Sequence, residues 1–461
     1  MSKRNTKELD MLNGKTAGKL IMFAIPLALS SILQQLFNSA DVAVVGRFAK
    51  GNAMAAVGSC VALVGIFVNL IVGLSVGPNA SLATIIGQKR RDDINGMLHT
   101  IMTFGAILGI VLMGIGIGTA KVILEISGTP EGVLPEALLY IRIYFISIPF
   151  MVIYNFGAAI LRSFGDTRRP MFYLIITGVV NVALNLFLVI CCKLGVAGVA
   201  IATLISNVLS AILVMVYLCR RKDEFKFCFR NMRIENKYLK NILKIGIPAG
   251  VQGAIFSISN VFIQSGINSF GEDAIAGSSL ALNFEYFTYD ISNAFAQAAV
   301  TFISQNFGAC NIKRCKKIFW QCMAFGICFT EVLAVVFMIW DDFFVSIYTT
   351  SSAIAAFGLI RMHHVCALEG LTATYEVESA ALRGMGKSLG PAIITILGTV
   401  VFRIIWLVTV FRLVPTYTML MNVYIASWIF TGGAIFILLA VHMKKIMLIH
   451  GSGKFYDIGC N

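Results

Sequence analysis

Asp41 sits in the run Leu36-Phe37-Asn38-Ser39-Ala40-Asp41-Val42, a carboxylate among mostly apolar neighbours. An ionisable group in such surroundings is costly to hold and marks a place where ions or substrates are handled. Asn181 and Asn185 are four residues apart, so a helix sets both on one face. Thr203 lies early in the next apolar run. One carboxylate with amide and hydroxyl oxygens makes a site for a hard cation, and the acid alone can carry a proton. The same groups would also serve as a buried acid held by hydrogen bonds for packing alone. Asp41, Asn181 and Asn185 would be metal ligands only if the ion is Na⁺; otherwise the ion is H⁺, and no cofactor is implied. The eleven cysteines have no C-x-x-C spacing and no accompanying histidine set.

The second half has no acid equivalent to Asp41 but carries other charges within apolar runs: Glu285, Asp290, Glu331, Glu369, Glu376, Glu378 and Arg403. Asp290, Glu369 and Arg403 fall near the middle of their runs. Arg403 is expected to pair with one of those two acids, because an unpaired buried charge is expensive. Glu285 falls nearer the outer mouth, where it could attract a cationic substrate. Together Glu285, Asp290, Glu369 and Arg403 form a second candidate network, for substrate or for charge balance. Arg142 and Arg361 lie near outer helix ends and are expected to snorkel to the interface. His363-His364 could relay protons but has no evident acid partner.

The elements that position these residues are membrane-spanning. The chain is 58% hydrophobic and only 13% charged. Apolar runs of the roughly 20 residues needed to cross a bilayer recur throughout. They read 17–45, 53–86, 95–118, 138–160, 171–191 and 196–218, then 242–267, 274–303, 318–340, 355–381, 391–411 and 418–442. With the N-terminus inside, 29 of the 37 Lys and Arg fall on the cytoplasmic side, five on the other side and three within spans. That bias places both termini in the cytoplasm and explains the net charge of +14 without nucleic acid. The basic N-terminus and the apolar run after it resemble a signal peptide. The run is too long for one, so it reads as a retained first helix.

The chain also repeats itself. Leu161-Arg162-Ser163-Phe164-Gly165-Asp166 leading to Pro170 recurs as Leu382-Arg383-Gly384-Met385-Gly386-Lys387 leading to Pro391, an offset of 221. Gly87 and Gly308, Tyr154 and Tyr375, and Ser206 and Ser427 keep that offset, and Pro26 and Pro248 lie 222 apart. Six spans per copy is an even number, so the copies insert the same way and are related by a pseudo-twofold axis along the membrane normal. The expected fold is an all-α integral membrane protein of twelve transmembrane helices in two pseudo-symmetric six-helix lobes. Residues 1–218 form the first lobe, 219–241 a cytoplasmic linker and 242–461 the second lobe. Duplicated halves in a membrane point to a transporter with its pathway between them.

With these residues in place, the chain resembles the MATE (multidrug and toxic compound extrusion) transporters over roughly residues 15–445. The likeness rests on Gln34-Gln35-Leu36-Phe37-Asn38-Ser39-Ala40-Asp41 running to Val45-Gly46-Arg47, on the repeated Leu-Arg motif, on Asn181 through Asn185, on Gly195-Val196-Ala197-Gly198 with Thr203, and on Ser304-Gln305-Asn306-Phe307-Gly308-Ala309. It implies an outward-facing cleft between two lobes and export of cationic or amphipathic compounds coupled to inward Na⁺ or H⁺. The family's amino-terminal cation site then falls on Asp41, Asn181, Asn185 and Thr203. Some relatives carry Asp where Asn185 stands. A sodium-coupled branch has a glutamate where this chain reads Gly253-Ala254-Ile255-Phe256-Ser257-Ile258, so that branch's coupling site does not transfer.

The expectation is therefore a multidrug antiporter of the plasma (inner) membrane, multi-pass and monomeric, with small-molecule substrates and the lipid bilayer as partners. The alternative is a flippase for lipid-linked saccharides on a related two-lobe fold. That function would call for more basic groups in the cleft, whereas, apart from Lys19 and Lys244 at the cytoplasmic ends, the spans contain three Arg and no Lys. A channel would need a selectivity filter or a symmetric polar ring. An enzyme would need a nucleophile–base pair or a metal set. Neither is found.

Overall fold

A computed structural model describes residues 8–48 and 53–451. Lys50 and the chain ends that enter the charge count lie outside the described residues. Apolar sequence in lipid must satisfy its backbone internally, and the chain does so with helices alone; the described residues contain no strand. In chain order the long helices are α1 (Ala17–Phe48), α2 (Ala53–Gly87), α3 (Arg91–Ile126), α4 (the pair Leu134–Ile146 and Ile148–Ser163), α5 (Arg168–Cys191) and α6 (Gly195–Arg220). The second half continues with α7 (Asn236–Asn268), α8 (Glu272–Gly308), α9 (Ile312–Ile339), α10 (Ser352–Gly384), α11 (Leu389–Leu413) and α12 (Tyr417–Leu448).

Ten of these are long and apolar enough to cross a membrane, and the two parts of α4, bent by 41°, together make an eleventh. The twelfth, α8, has the length at 37 residues, but Asn283, Glu285, Asp290 and Asn293 dilute its apolar character. Protein rather than lipid surrounds much of it, since almost every residue from Ala294 to Gly308 is buried. The break in α4 arises at Pro149, which has no N–H to give to the preceding turn. At the position 221 residues on, α10 is interrupted by a 3₁₀ segment, Cys366–Leu371, and there the Gly370 N–H is taken by Glu331 Oε1 at 2.9 Å.

The duplication appears in the backbone as matched helix stops. Gly165 and Gly386 both take positive φ, +97° and +79°, and so do Lys89 and Cys310, at +59° and +56°. Each is the left-handed residue of a Schellman cap, in which the next N–H reaches back five residues. The bonds are Asp166 N to Leu161 O (3.0 Å), Lys387 N to Leu382 O (2.8 Å), Arg90 N to Ile85 O (3.3 Å) and Asn311 N to Asn306 O (2.8 Å). The Leu-Arg motif that reveals the repeat is thus the end of a helix. After the first copy, Asp166 Oδ1 accepts the Arg169 N–H at 3.1 Å and opens α5.

The chain separates into two compact units. One contains Leu29–Gly246 with the segment through Leu9, and the other Asp10–Ala28 with Ile247 onward. Each half's first helix therefore changes unit close to its proline, Pro26 in α1 and Pro248 in α7. Residues 219–241, expected as a linker, pack onto the first unit instead. Phe225 and Phe227 are buried against Phe164 and His99, at ring distances of 4.6 and 5.1 Å. Arg221 is held by Glu8 at 2.7 Å, by Asp223 and by the Tyr217 hydroxyl at 2.9 Å, over the face of Phe164. Polar composition concealed a strap whose few aromatic residues anchor it.

A Cβ at residue 165 would stand 2.6 Å from Leu9 O, whereas residue 386 has open space. Gly386→Ala should cost about 1–2 kcal/mol, the left-handed backbone penalty alone. Gly165→Ala should cost visibly more, because backbone must move as well. Thermal unfolding midpoints of the two variants in detergent compare them, and equal shifts would refute the steric difference.

Candidate functional site

The first unit brings three of the four expected polar residues together. Asn185 Nδ2 on α5 donates to Asp41 Oδ1 on α1 and, at 3.2 Å, to Asn181 Oδ1 one turn away. Asn185 is fully buried and Asn181 nearly so, while Asp41 is half-buried. Thr203, half-buried on α6, is not joined to this set by a hydrogen bond among the described residues. The Asn185 Oδ1 atom is buried and has no hydrogen-bond partner among the described residues. With the Asp41 carboxylate and Asn181 Oδ1 it forms a group of oxygens of the kind a hard monovalent cation takes.

Sequence reasoning missed what allows α1 to come so close to α5. The ring of Phe37, one turn before Asp41, occupies the space a Cβ on Gly178 would need. Gly178 is one turn before Asn181, so the contact and the polar cluster are consecutive layers of one helix pair. Directly after Asn185 the helix passes into a π turn, Phe187–Cys191. Such turns recur at functional sites because they leave backbone groups less regularly bonded. The absent side chain at 178 was the available signal.

The second unit departs from expectation at two arginines. Arg361 is buried rather than interfacial, 3% exposed. Its Nε and Nη2 donate to Glu285 Oε1 and Oε2 at 2.6 and 2.7 Å, and Nη1 donates to Ser278 Oγ at 2.6 Å. Glu285 is therefore occupied by an internal partner and is not an open lure for cations. Arg361 sits toward a helix end, which sequence reading equated with exposure, yet α8 packs against α10 there: Gly277 and Gly358 bring the backbones into contact. Arg403, fully buried on α11, does not pair with Asp290 or Glu369. Its Nε donates to Ser427 Oγ at 3.2 Å, and its guanidinium lies 4.6 Å from the ring centre of Tyr424, both on α12. A π turn, Leu397–Val401, immediately precedes it. The extra residue in that turn rotates the remainder of α11 by about 100° relative to an unbroken helix, redirecting Arg403 toward α12.

Glu369 is buried with Oε2 unpartnered, and Asp290 is half-buried without a hydrogen bond, both among the described residues. Glu376 accepts from Tyr289 at 3.1 Å. Arg142 is exposed, as expected. His363 does find an acid, Asp341 at 2.7 Å, but at an exposed position rather than along an interior path.

Comparison with known proteins agrees with this architecture. The family model described as MatE matches twice, over residues 26–187 and 248–409. The chain is similar to the probable multidrug resistance protein YoeA of Bacillus subtilis, 28% identical over 384 residues, covering 81% of this chain and 82% of the relative. It is 30% identical over 313 residues to YpnP of the same organism, also named a probable multidrug resistance protein, covering 67% of this chain and 69% of the relative. Among solved structures, the outward-facing conformation of a multidrug resistance MATE family transporter superposes with a TM-score of 0.89 at 20% identity, over 96% of this chain and 100% of that one. A MOP superfamily transporter from Pyrococcus furiosus superposes with a TM-score of 0.88 at 21% identity, over the same shares.

Removing one partner of a buried ion pair strands the other charge, at a cost of about 3–5 kcal/mol. Glu285→Ala should therefore lower the unfolding midpoint sharply, and adding Arg361→Met should recover most of the loss. A double variant no more stable than Glu285→Ala would show that the pair is not the source of the effect.

Proposed function

This chain belongs to the MatE family, and on that footing we propose that it is a secondary active antiporter. It exports cationic or amphipathic small molecules across the plasma membrane in exchange for inward H⁺ or Na⁺, as a single chain with both termini cytoplasmic. The names of its relatives support multidrug export. Positive charge on one side of the apolar spans supports the orientation. The observation that carries the coupling is the bond between Asp41 and the Asn185–Asn181 pair, which ties α1 to α5 through one ionisable group.

The coupling works through that tie. The charged carboxylate accepts strongly from the Asn185 amide. A proton on Asp41 cancels the charge and weakens the bond. A sodium ion would take the carboxylate together with Asn181 Oδ1 and the unpartnered Asn185 Oδ1, and so displace the amide N–H from it. Either event changes how firmly α1 is held to α5. Because α1 contains Pro26, whose missing N–H leaves that turn weakly bonded, the helix can bend in response. An ion that prefers one arrangement shifts the population toward it by the difference in its affinity for the two.

The test is ethidium efflux from proteoliposomes of defined orientation, with Na⁺ and H⁺ gradients imposed separately. Wild type should respond to one of them. Asp41→Asn, eluting as folded protein, should lose the gradient-driven component by about tenfold or more, the scale of a typical coupling energy. Undiminished ion dependence in Asp41→Asn would sink the mechanism. Wild type without any gradient-driven efflux would move the weight to lipid-linked saccharides.

A further inference from the structure

The second unit holds a cation that its surroundings do not neutralise. Arg403 is 1% exposed. Its Nε is used by Ser427, while Nη1 and Nη2 are buried and meet no acceptor among the described residues. A guanidinium carries five donor hydrogens in one plane, so four are left over. The usual remedy is visible in the same unit, where Arg361 engages both oxygens of Glu285. Tyr424 lies against both arginines, its ring centre 4.6 Å from the guanidinium of Arg403 and 5.4 Å from that of Arg361. Phe256 adds a second aromatic face at 5.7 Å. Aromatic faces recover about 0.5–2 kcal/mol each, well short of the several kcal/mol it costs to bury an ion. Glu369, whose Oε2 is also buried without a partner among the described residues, makes no hydrogen bond to Arg403.

The backbone nearby is irregular on two sides. Arg403 comes directly after the π turn of α11, and Glu369 lies in the 3₁₀ segment that interrupts α10. Non-helical backbone at membrane depth is tolerated where it is enclosed in protein or lines a site. We propose that Arg403 is the receptor for a small monoanion, a halide or the carboxylate of a zwitterionic substrate, bound by the Nη1 and Nη2 hydrogens. Ser427 and Tyr424 fix the plane of the guanidinium, and Glu369 is the internal rival for the same donors. This goes beyond export of cations: it gives the second unit a place for negative charge, and only the choice of a substrate carboxylate rests on the transporter reading.

Trp428 makes the site observable without transport. Its ring lies 6.1 Å from that of Tyr424, and it is buried. Replacing Trp320, Trp340 and Trp406 by Phe leaves Trp428 as the only tryptophan of the four. Iodide, at constant ionic strength against gluconate, should then quench fluorescence saturably, and chloride should reverse the effect. Arg403→Gln should abolish the saturable component. Arg403→Lys, which keeps the charge but loses the planar fork, should weaken it by about tenfold, and it serves if Arg403→Gln does not fold. Acrylamide quenching of each variant reports whether the surroundings of Trp428 are intact. Quenching that is linear with Arg403 present, or saturable and unchanged in Arg403→Gln or Arg403→Lys, overturns the proposal.

The two sources separate in proteoliposomes that export ethidium. Efflux of both ethidium and a fluoroquinolone with one carboxylate that depends on chloride identifies a halide. A ratio of fluoroquinolone to ethidium efflux that falls about tenfold in Arg403→Lys, independently of chloride, identifies the substrate carboxylate. Absence of both effects overturns a role for the site in the transport cycle.

Discussion

A charge withdrawn from water has to be met by another group, and the interior of this molecule is organised around that requirement. Arg361 and Glu285 tie α10 to α8. Arg383 donates to Gln252 at 2.7 Å and ties α10 to α7. Asp41 and Asn185 tie α1 to α5. Glu331 reaches across from α9 to the N–H exposed where α10 breaks. Because lipid and side chains are equally apolar, burial alone does little to choose among helix partners, and polar contacts of this kind share that choice with close packing of the helices. Arg403 and Glu369, where the matching is incomplete, are also where the helices depart from regular geometry.

The repeat illustrates how a sequence motif can be informative about descent and bland about chemistry. Leu161 through Gly165 and Leu382 through Gly386 end their helices with the same pair of backbone bonds. The same cap closes α2 and α8, where Lys89 and Cys310 adopt the left-handed conformation without the help of glycine. A set of turning points persisted between the halves, and the interior charges were free to diverge. Asp41 has no acidic counterpart in the second half, and the Arg361–Glu285 pair lies in the second half alone.

Eleven of the twelve helices were legible because long apolar runs leave few alternatives, and α8 was legible by its length despite the polar residues it carries. The Asp41–Asn181–Asn185 set was legible too, because four-residue spacing on a helix and a common depth are properties of local sequence. Thr203 makes no hydrogen bond to the set among the described residues, and whether a side chain joins such a set depends on how its helix is rotated, which local sequence does not record. The same limit explains Arg361 and Arg403. Glu285 and Arg361 are 76 residues apart, and only the packing of α8 on α10 selects them for each other. One additional residue in a π turn sends Arg403 to α12. In the 219–241 stretch, two buried phenylalanines outweigh a polar composition, a reminder that anchoring depends on a few side chains rather than on an average.

The division of the chain into units does not coincide with the division of its sequence into copies. Residues 10–28 belong with the second unit and residues 219–246 with the first. A polypeptide cut within the polar stretch between the copies would yield two fragments, each missing part of its own unit and carrying part of the other's. The leading turns of α1 would be stranded without their packing partners, and the first fragment would lose whatever part of the strap lies beyond the cut. The two copies are therefore a single object for synthesis and assembly: the first is complete only after the ribosome has begun the second.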